Sequence, residues 1–203
     1  QAVSCTTLLA DKMEVATNRE PVETARKWNL RMLAGNYPSS AFTAYPEKPF
    51  HKLAADHGLT ADDFHGADAL AKDDSHTYIT TDMSRCINCY ACVRICADVQ
   101  GQFVWHVVGR GADSEIVPDF FGPFGDSTCV SCGACVDACP SGALEDKTVI
   151  ERGFPTEWTK TTFPYCGTGC EMNVGIRDDR VVQVKPVLDA PVNYGHLCVK
   201  GRY

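Results

Sequence analysis

Cys86-Ile87-Asn88-Cys89-Tyr90-Ala91-Cys92-Val93-Arg94-Ile95-Cys96 sets four cysteines at the spacing C-x-x-C-x-x-C-x-x-x-C, and the spacing returns 43 residues later at Cys129, Cys132, Cys135 and Cys139, with Pro140 behind it. Two residues between successive cysteines let three thiolates of one loop fan round one side of a polynuclear centre, while the fourth, three residues on, points elsewhere. Structural zinc usually takes two separated C-x-x-C pairs and does not call for two runs of four. Disulfides need an oxidising compartment and would close strained loops this short. The spacing favours iron and sulfide over both.

The double run resembles that of the bacterial two-cluster ferredoxins, in which the last cysteine of each run ligates the other run's cluster. The resemblance implies two [4Fe–4S] clusters, one on Cys86, Cys89, Cys92 and Cys139, the other on Cys129, Cys132, Cys135 and Cys96. The internal repeat then closes on itself as one electron-transferring domain. Overlaying the runs sets Arg85 and Arg94 of the first against Thr128 and Asp137 of the second. That contrast predicts easier reduction of the Cys86/Cys89/Cys92 centre.

A length of 203 residues permits one or two domains, and a small domain carrying eight cysteines has little apolar side chain left for a core. Cluster ligation must then supply stability, and the cluster region is expected to be unfolded as apoprotein. The net charge of −7 and the absence of a basic stripe make nucleic acid a poor partner. No apolar run approaches the length of a membrane span. No signal peptide is visible, and a cytoplasmic location is expected.

Residues 1–75 are cysteine-poor and helical in pattern. Pro21 suits a first helical position, Val22, Ala25, Trp28 and Met32 recur on one face, and Gly35 is expected to stop the helix in a left-handed cap. A loop is predicted over 36–49 and a second helix over 51–57 ending at Gly58, and Thr60 with Asp63 resembles a capping box. Short strands are predicted over 78–80 and 103–108. A β-hairpin is predicted from 172–176 and 181–184, with Pro186 ending its second strand.

A third set of cysteines lies in Pro164-Tyr165-Cys166-Gly167-Thr168-Gly169-Cys170 and His196-Leu197-Cys198-Val199-Lys200-Gly201-Arg202. With the intervening hairpin, these motifs resemble the amino-terminal iron–sulfur segment of the molybdopterin-dependent oxidoreductases. The resemblance implies a cluster on Cys166, Cys170 and Cys198, with Lys200 between that cluster and a pterin cofactor. The family's first cysteine falls at Phe163, which cannot ligate iron. Three cysteines leave open a [3Fe–4S] cluster, a [4Fe–4S] cluster with a ligand from elsewhere, or nothing stable.

Upstream, Val3-Ser4-Cys5-Thr6-Thr7 resembles the end of a plant-type [2Fe–2S] domain, with Cys5 as the last ligand and the others preceding Gln1. The following helix and loop resemble the His-Cys₃ region of formate dehydrogenase α subunits, of the G subunits of NADH dehydrogenases and of iron hydrogenases. The histidine position there falls at Tyr37 and the cysteine positions at Ala41, Ala44 and about Phe50, so that site reads as empty and His51 and His57 as helix-surface residues.

The expected architecture is α+β: 1–75 the end of a [2Fe–2S] domain plus a degenerate His-Cys₃-like helical region, 76–152 a 2[4Fe–4S] ferredoxin-like domain, and 153–203 the start of a molybdopterin oxidoreductase iron–sulfur domain. The order of segments most resembles the α subunit of an NAD-linked, molybdenum- or tungsten-dependent formate dehydrogenase. The implied role is relay between a Mo/W-bis-pterin site in an adjoining domain or subunit and a flavin or iron–sulfur partner. The chain reads as a fragment or the ordered part of a longer one, without a residue for the chemical step on formate. A free-standing ferredoxin-like electron-transfer subunit is the alternative.

Overall fold

The computed structural model describes residues 3, 6–67 and 72–203. They fall into two compact units, Gln1–Ala67 and Asp68–Tyr203. Cys5 lies outside the described residues.

The first unit is helical, with α1 Glu20–Ala34, α2 Ser39–Ala44 and α3 Pro49–Asp56. Pro21 stands in the first turn of α1, where its missing N–H costs no hydrogen bond. The predicted apolar face is not the one that is buried. Trp28 and Met32 are 59% and 65% exposed, while Leu30 and Ala34 turn inward. The small Ala34 side chain leaves room for the His65 N–H to donate to its carbonyl at 3.2 Å. Gly35 keeps a right-handed φ of −57° rather than the expected left-handed cap. The predicted loop at 36–49 contains α2, which starts behind Pro38. Gly58, at φ +75°, does take the left-handed conformation after α3, and the Thr60/Asp63 capping box is present.

The core of this unit is aromatic. Tyr37, Phe50 and Phe64 are buried and meet edge to face, with ring centroids 5.3 Å apart for Tyr37 and Phe50 and 5.8 Å for Tyr37 and Phe64. His51, expected on the helix surface, is 1% exposed. Its Nδ1 lies 2.6 Å from the Tyr45 carbonyl, which only accepts, so Nδ1 carries the proton and Nε2 accepts from the Tyr37 hydroxyl at 2.7 Å. Both ring nitrogens are thereby engaged. Packing fills the region where the resembled family carries a metal site.

The second unit runs β1 Ile79–Thr81, α4 Ala91–Arg94, β2 Trp105–Val108, β3 Glu115–Pro118, α5 Ala134–Ala138, β4 Leu144–Asp146, α6 Lys147–Arg152, β5 Glu157–Thr162, β6 Glu171–Arg177, β7 Arg180–Pro186 and α7 Val199–Arg202. β1 pairs antiparallel with β4, Ile79 opposite Asp146, which ties the entry to the first cysteine run to the exit from the second. All six residues of this ribbon are buried. β2 pairs with β3, a strand the sequence hid behind Pro118 and the glycines around it. The predicted β6–β7 hairpin forms, with Asp178 and Asp179 both at positive φ in its two-residue turn and β7 ending at Pro186. β5 adds a third strand along β6; it is exposed throughout, so no alternation marked it.

One buried ionic network fastens the end of this unit to its middle. Arg202, 4% exposed, donates to Asp137 at 2.5 and 3.1 Å and to Asp146 Oδ2 at 3.0 Å. The Tyr203 hydroxyl donates to Asp146 Oδ1 at 2.6 Å, and the Gln183 amide to Oδ2 at 2.8 Å. The carboxylates hold the guanidinium above its usual range, although burial opposes them. Arg202→Met, which leaves Asp137 and Asp146 without their cation, is expected to cost about 3–5 kcal/mol in denaturant unfolding. An unchanged midpoint would contradict this account of the network.

Candidate iron–sulfur sites

The two cysteine runs fold into copies of the same loop. Asn88 and Tyr90 in the first have φ of 51° and 59°; Ser131 and Gly133, at the matching places in the second, have 56° and 71°. Left-handed residues turn successive N–H groups to one side, which makes a cradle for sulfur anions. Accordingly, the Asn88 N–H donates to Cys86 Sγ at 3.4 Å and the Ser131 N–H to Cys129 Sγ at 3.3 Å.

Each loop opens onto a cavity, and each cavity takes its fourth thiol from the other loop. Cys86, Cys89, Cys92 and Cys139 line one, with Met83, Ile116 and Leu144. Cys96, Cys129, Cys132 and Cys135 line the other, with Val104 and Trp105. All eleven described cysteines are free thiols. No three described His, Cys, Asp or Glu side chains close round a single ion. Four thiols to a cavity is the donor set of a [4Fe–4S] cluster, so the residues fit that group.

Electrostatics reports the same grouping. Burial pushes the Cys92 thiol up to about 12, and Cys139, Cys86 and Cys89 add to the shift. The Cys86 thiol is raised by burial, with Cys139 and Cys89 beside it. Burial also raises Cys129 and Cys132, and both feel Cys96. Cys135 is driven up by complete burial, opposed by a hydrogen bond from the Trp105 side chain. The Val104 N–H donates to Cys96 Sγ at 3.4 Å. Thiols held this far toward the protonated form must each shed a proton to bind metal, so metal uptake releases protons.

Cys166, Cys170 and Cys198 form the third group. The Cys170 thiol is raised by burial and then by Cys166 and Cys198. The exposed Cys166 thiol is lowered by hydrogen bonds from Thr168, with Gly169 and the Lys200 cation assisting. Phe163, where the resembled family has a cysteine, is buried; its N–H donates to the Cys170 carbonyl at 2.8 Å and its ring meets Tyr165 edge to face at 5.6 Å. Phe163, Tyr165 and Lys200 line an open cavity of about 1,070 Å³ together with Val182, Gln183 and Tyr203. Three thiols fit a cluster only if it is three-iron or finds a further ligand.

Several residues round the sites carried no sequence signal. His76 is buried, stacked on Phe124 at 4.5 Å, and its Nδ1 accepts from the Tyr78 and Ile79 N–H groups. Nε2 therefore carries the proton and faces Ser131 Oγ at 3.2 Å, inside the second cysteine loop. Gln100, which lines the second cavity, pairs with His196 Nδ1 at 3.1 Å. The predicted charge contrast also changes. Arg85 Nε lies 3.0 Å from Asp82, and Asp137 is met by Arg202, so neither acts as a bare charge.

Residues 76–145 match the NADH-quinone oxidoreductase subunit 3, ferredoxin-like domain, and residues 156–203 match the Molybdopterin oxidoreductase Fe4S4 domain. The chain carries the iron–sulfur electron-transfer region of a molybdopterin oxidoreductase-family protein. It is 32% identical to the second G-type subunit of NADH-quinone oxidoreductase from Rhizobium meliloti over 98% of this chain and 24% of that one. Against the NADPH-Fe(3+) oxidoreductase subunit alpha of Geobacter sulfurreducens it is 30% identical, again over 98% and 24%. A crystal structure of an NAD+-reducing [NiFe]-hydrogenase in the H2-reduced state superposes with a TM-score of 0.63 at 28% identity, covering 72% of this chain and 64% of that one. The chain thus spans about a quarter of the length of the curated relatives it matches. The mixed helix and sheet architecture agrees with ferredoxin-like iron–sulfur domains. Among the described residues no helix is long and apolar enough to cross a membrane.

The shifted thiols and His76 make both metal binding and folding depend on pH. Iron release to a chelator is expected to quicken as pH falls from about 8 to 6, because protons compete for thiols whose ordinary affinity for them is already raised; a pH-independent rate would contradict this. His76 is held below its ordinary 6.5, by burial first and by Lys147 second. Its contribution to stability is complete above that value and is lost as pH falls below it, since the unfolded chain then binds the proton more readily. His76→Asn is expected to flatten the stability profile between about pH 6.5 and 5, followed by denaturant midpoints.

Proposed function

We propose that this chain conducts electrons through two [4Fe–4S] clusters shared crosswise between its halves, one on Cys86, Cys89, Cys92 and Cys139, the other on Cys96, Cys129, Cys132 and Cys135. The observation that carries this reading is the pair of cavities, each ringed by three thiols of one loop and one of the other. Such clusters supply one-electron redox chemistry. The chain supplies spacing, burial and the N–H···S contacts that stabilise negative charge on sulfur.

A third cluster is held by Cys166, Cys170 and Cys198, of the three-iron type or with a fourth ligand from elsewhere, and Lys200 lies on its pterin side. Two links support placing it next to the second cavity. Cys198 caps α7, whose other end carries Arg202 against Asp137, and His196 pairs with Gln100. Electrons from a Mo/W-bis-pterin site in an adjoining domain then enter at the third site, pass to the Cys96/Cys129/Cys132/Cys135 centre, and leave through the other cubane toward a flavin or iron–sulfur partner. An NAD-linked formate dehydrogenase α subunit is the whole protein that this order of segments supports.

Ligand variants test the crosswise sharing. Cys139→Ser is expected to disturb the same reduced-state EPR signal as Cys89→Ser and to leave the signal disturbed by Cys132→Ser intact. If Cys139→Ser instead reproduces the Cys132→Ser spectrum, each run holds its own cluster and the reading fails.

A further inference from the structure

A cation stands directly behind the wall of the second cavity. Arg202 lies against Gly133, the residue after Cys132: a Cβ on Gly133 would fall 2.0 Å from Arg202 Nε. Gly133 itself lines the second cavity. The matching residue of the first loop is Tyr90, which keeps the same left-handed backbone with a full side chain. Absence of a side chain at Gly133 therefore makes room for the guanidinium as well as relieving backbone strain.

The charge is nearly shut off from water. The Arg202 side chain is 1% exposed, and its Nε is buried without a hydrogen-bond partner among the described residues. Asp137 and Asp146 engage the two terminal nitrogens, leaving Nε turned to neither. A third carboxylate, Asp119, lies near Cys129, where it binds the Thr128 N–H and hydroxyl. Arg202 reaches the second cysteine loop through Gly133, which is bonded directly to Cys132.

We infer that Arg202 sets the midpoint potential of the Cys96/Cys129/Cys132/Cys135 centre, holding it higher than its ligands alone would. The inference rests on the proposed cluster at those cysteines. One-electron reduction adds one negative charge to the centre and takes up no proton, so a fixed buried cation stabilises the reduced form whatever other charges surround it. The residue comes from the segment that carries Cys198, so the third site's own motif tunes the neighbouring centre that is to receive its electron.

The test is an EPR-monitored titration of the anaerobically purified holoprotein with dithionite as the electron source. Iron and acid-labile sulfide are counted in the same samples. Arg202→Gln is expected to lower the midpoint of one cubane couple and leave the other within error. Asp137→Asn, which removes an anion from the same place, is expected to raise that couple. Arg202→Lys keeps the charge without the bidentate geometry and is expected to hold the couple near its native value, which a merely structural role for Arg202 would not do. If Arg202→Gln fails to fold, a raised couple in Asp137→Asn together with a near-native couple in Arg202→Lys supports the inference, and an unmoved couple in Asp137→Asn overturns it. Loaded clusters whose couples do not move, or which both move together, overturn this inference alone. Preparations of the native protein without iron and sulfide overturn the cluster reading beneath it.

Discussion

Thiols in place of hydrocarbon are the constraint on which the second unit depends. Cys96 and Cys135 belong to its buried core beside Ile79, Val104, Trp105, Ile116, Phe124 and Leu144, and Cys86, Cys92, Cys129 and Cys139 pack against that core. Two cavities, each ringed by four thiols, interrupt a core so built. A protonated thiol packs there as a small apolar group, whereas a thiolate buried without a partner is unfavourable. A bound iron–sulfur cluster would supply that partner and neutralise the thiolates. Each cavity draws one thiol from the far loop, and the β1–β4 ribbon is the hydrogen-bonded seam between the halves.

The cysteine spacing made the loops readable because they are local objects. Their left-handed residues Asn88, Tyr90, Ser131 and Gly133 lie between ligands that the motif itself fixes. The β6–β7 hairpin was readable for the same reason, from Asp178 and Asp179 between two apolar stretches. What the sequence concealed is mostly non-local. Arg202 is 65 positions from Asp137, His76 is 55 from Ser131, and Gln100 is 96 from His196. Trp105 sat in a predicted strand, but nothing along the chain announced that its side chain serves Cys135. In α1, periodicity identified a helix and then picked the wrong face, since Trp28 stays outside beneath the Arg31 guanidinium.

The same residue types carry different meanings in the two units. In the second, the missing side chain at Gly133 admits the Arg202 guanidinium beside the Cys129–Cys135 loop. In the first, adding bulk at Tyr37 and Phe50 makes a dry aromatic core whose one histidine has both nitrogens occupied. Phe163 follows this second pattern in the third group: a buried ring and a backbone hydrogen bond to the Cys170 carbonyl fix the loop, while the thiols of Cys166, Cys170 and Cys198 stay together.

Iron and acid-labile sulfide analysis of the anaerobically purified chain addresses the central claim most directly, with Mössbauer spectra to sort the iron by cluster type. At least about eight iron and eight sulfide per chain, in two cubanes, are expected, with cooperative folding lost when the iron is stripped. A colourless protein that holds no labile sulfide and melts identically with and without chelator would contradict the account.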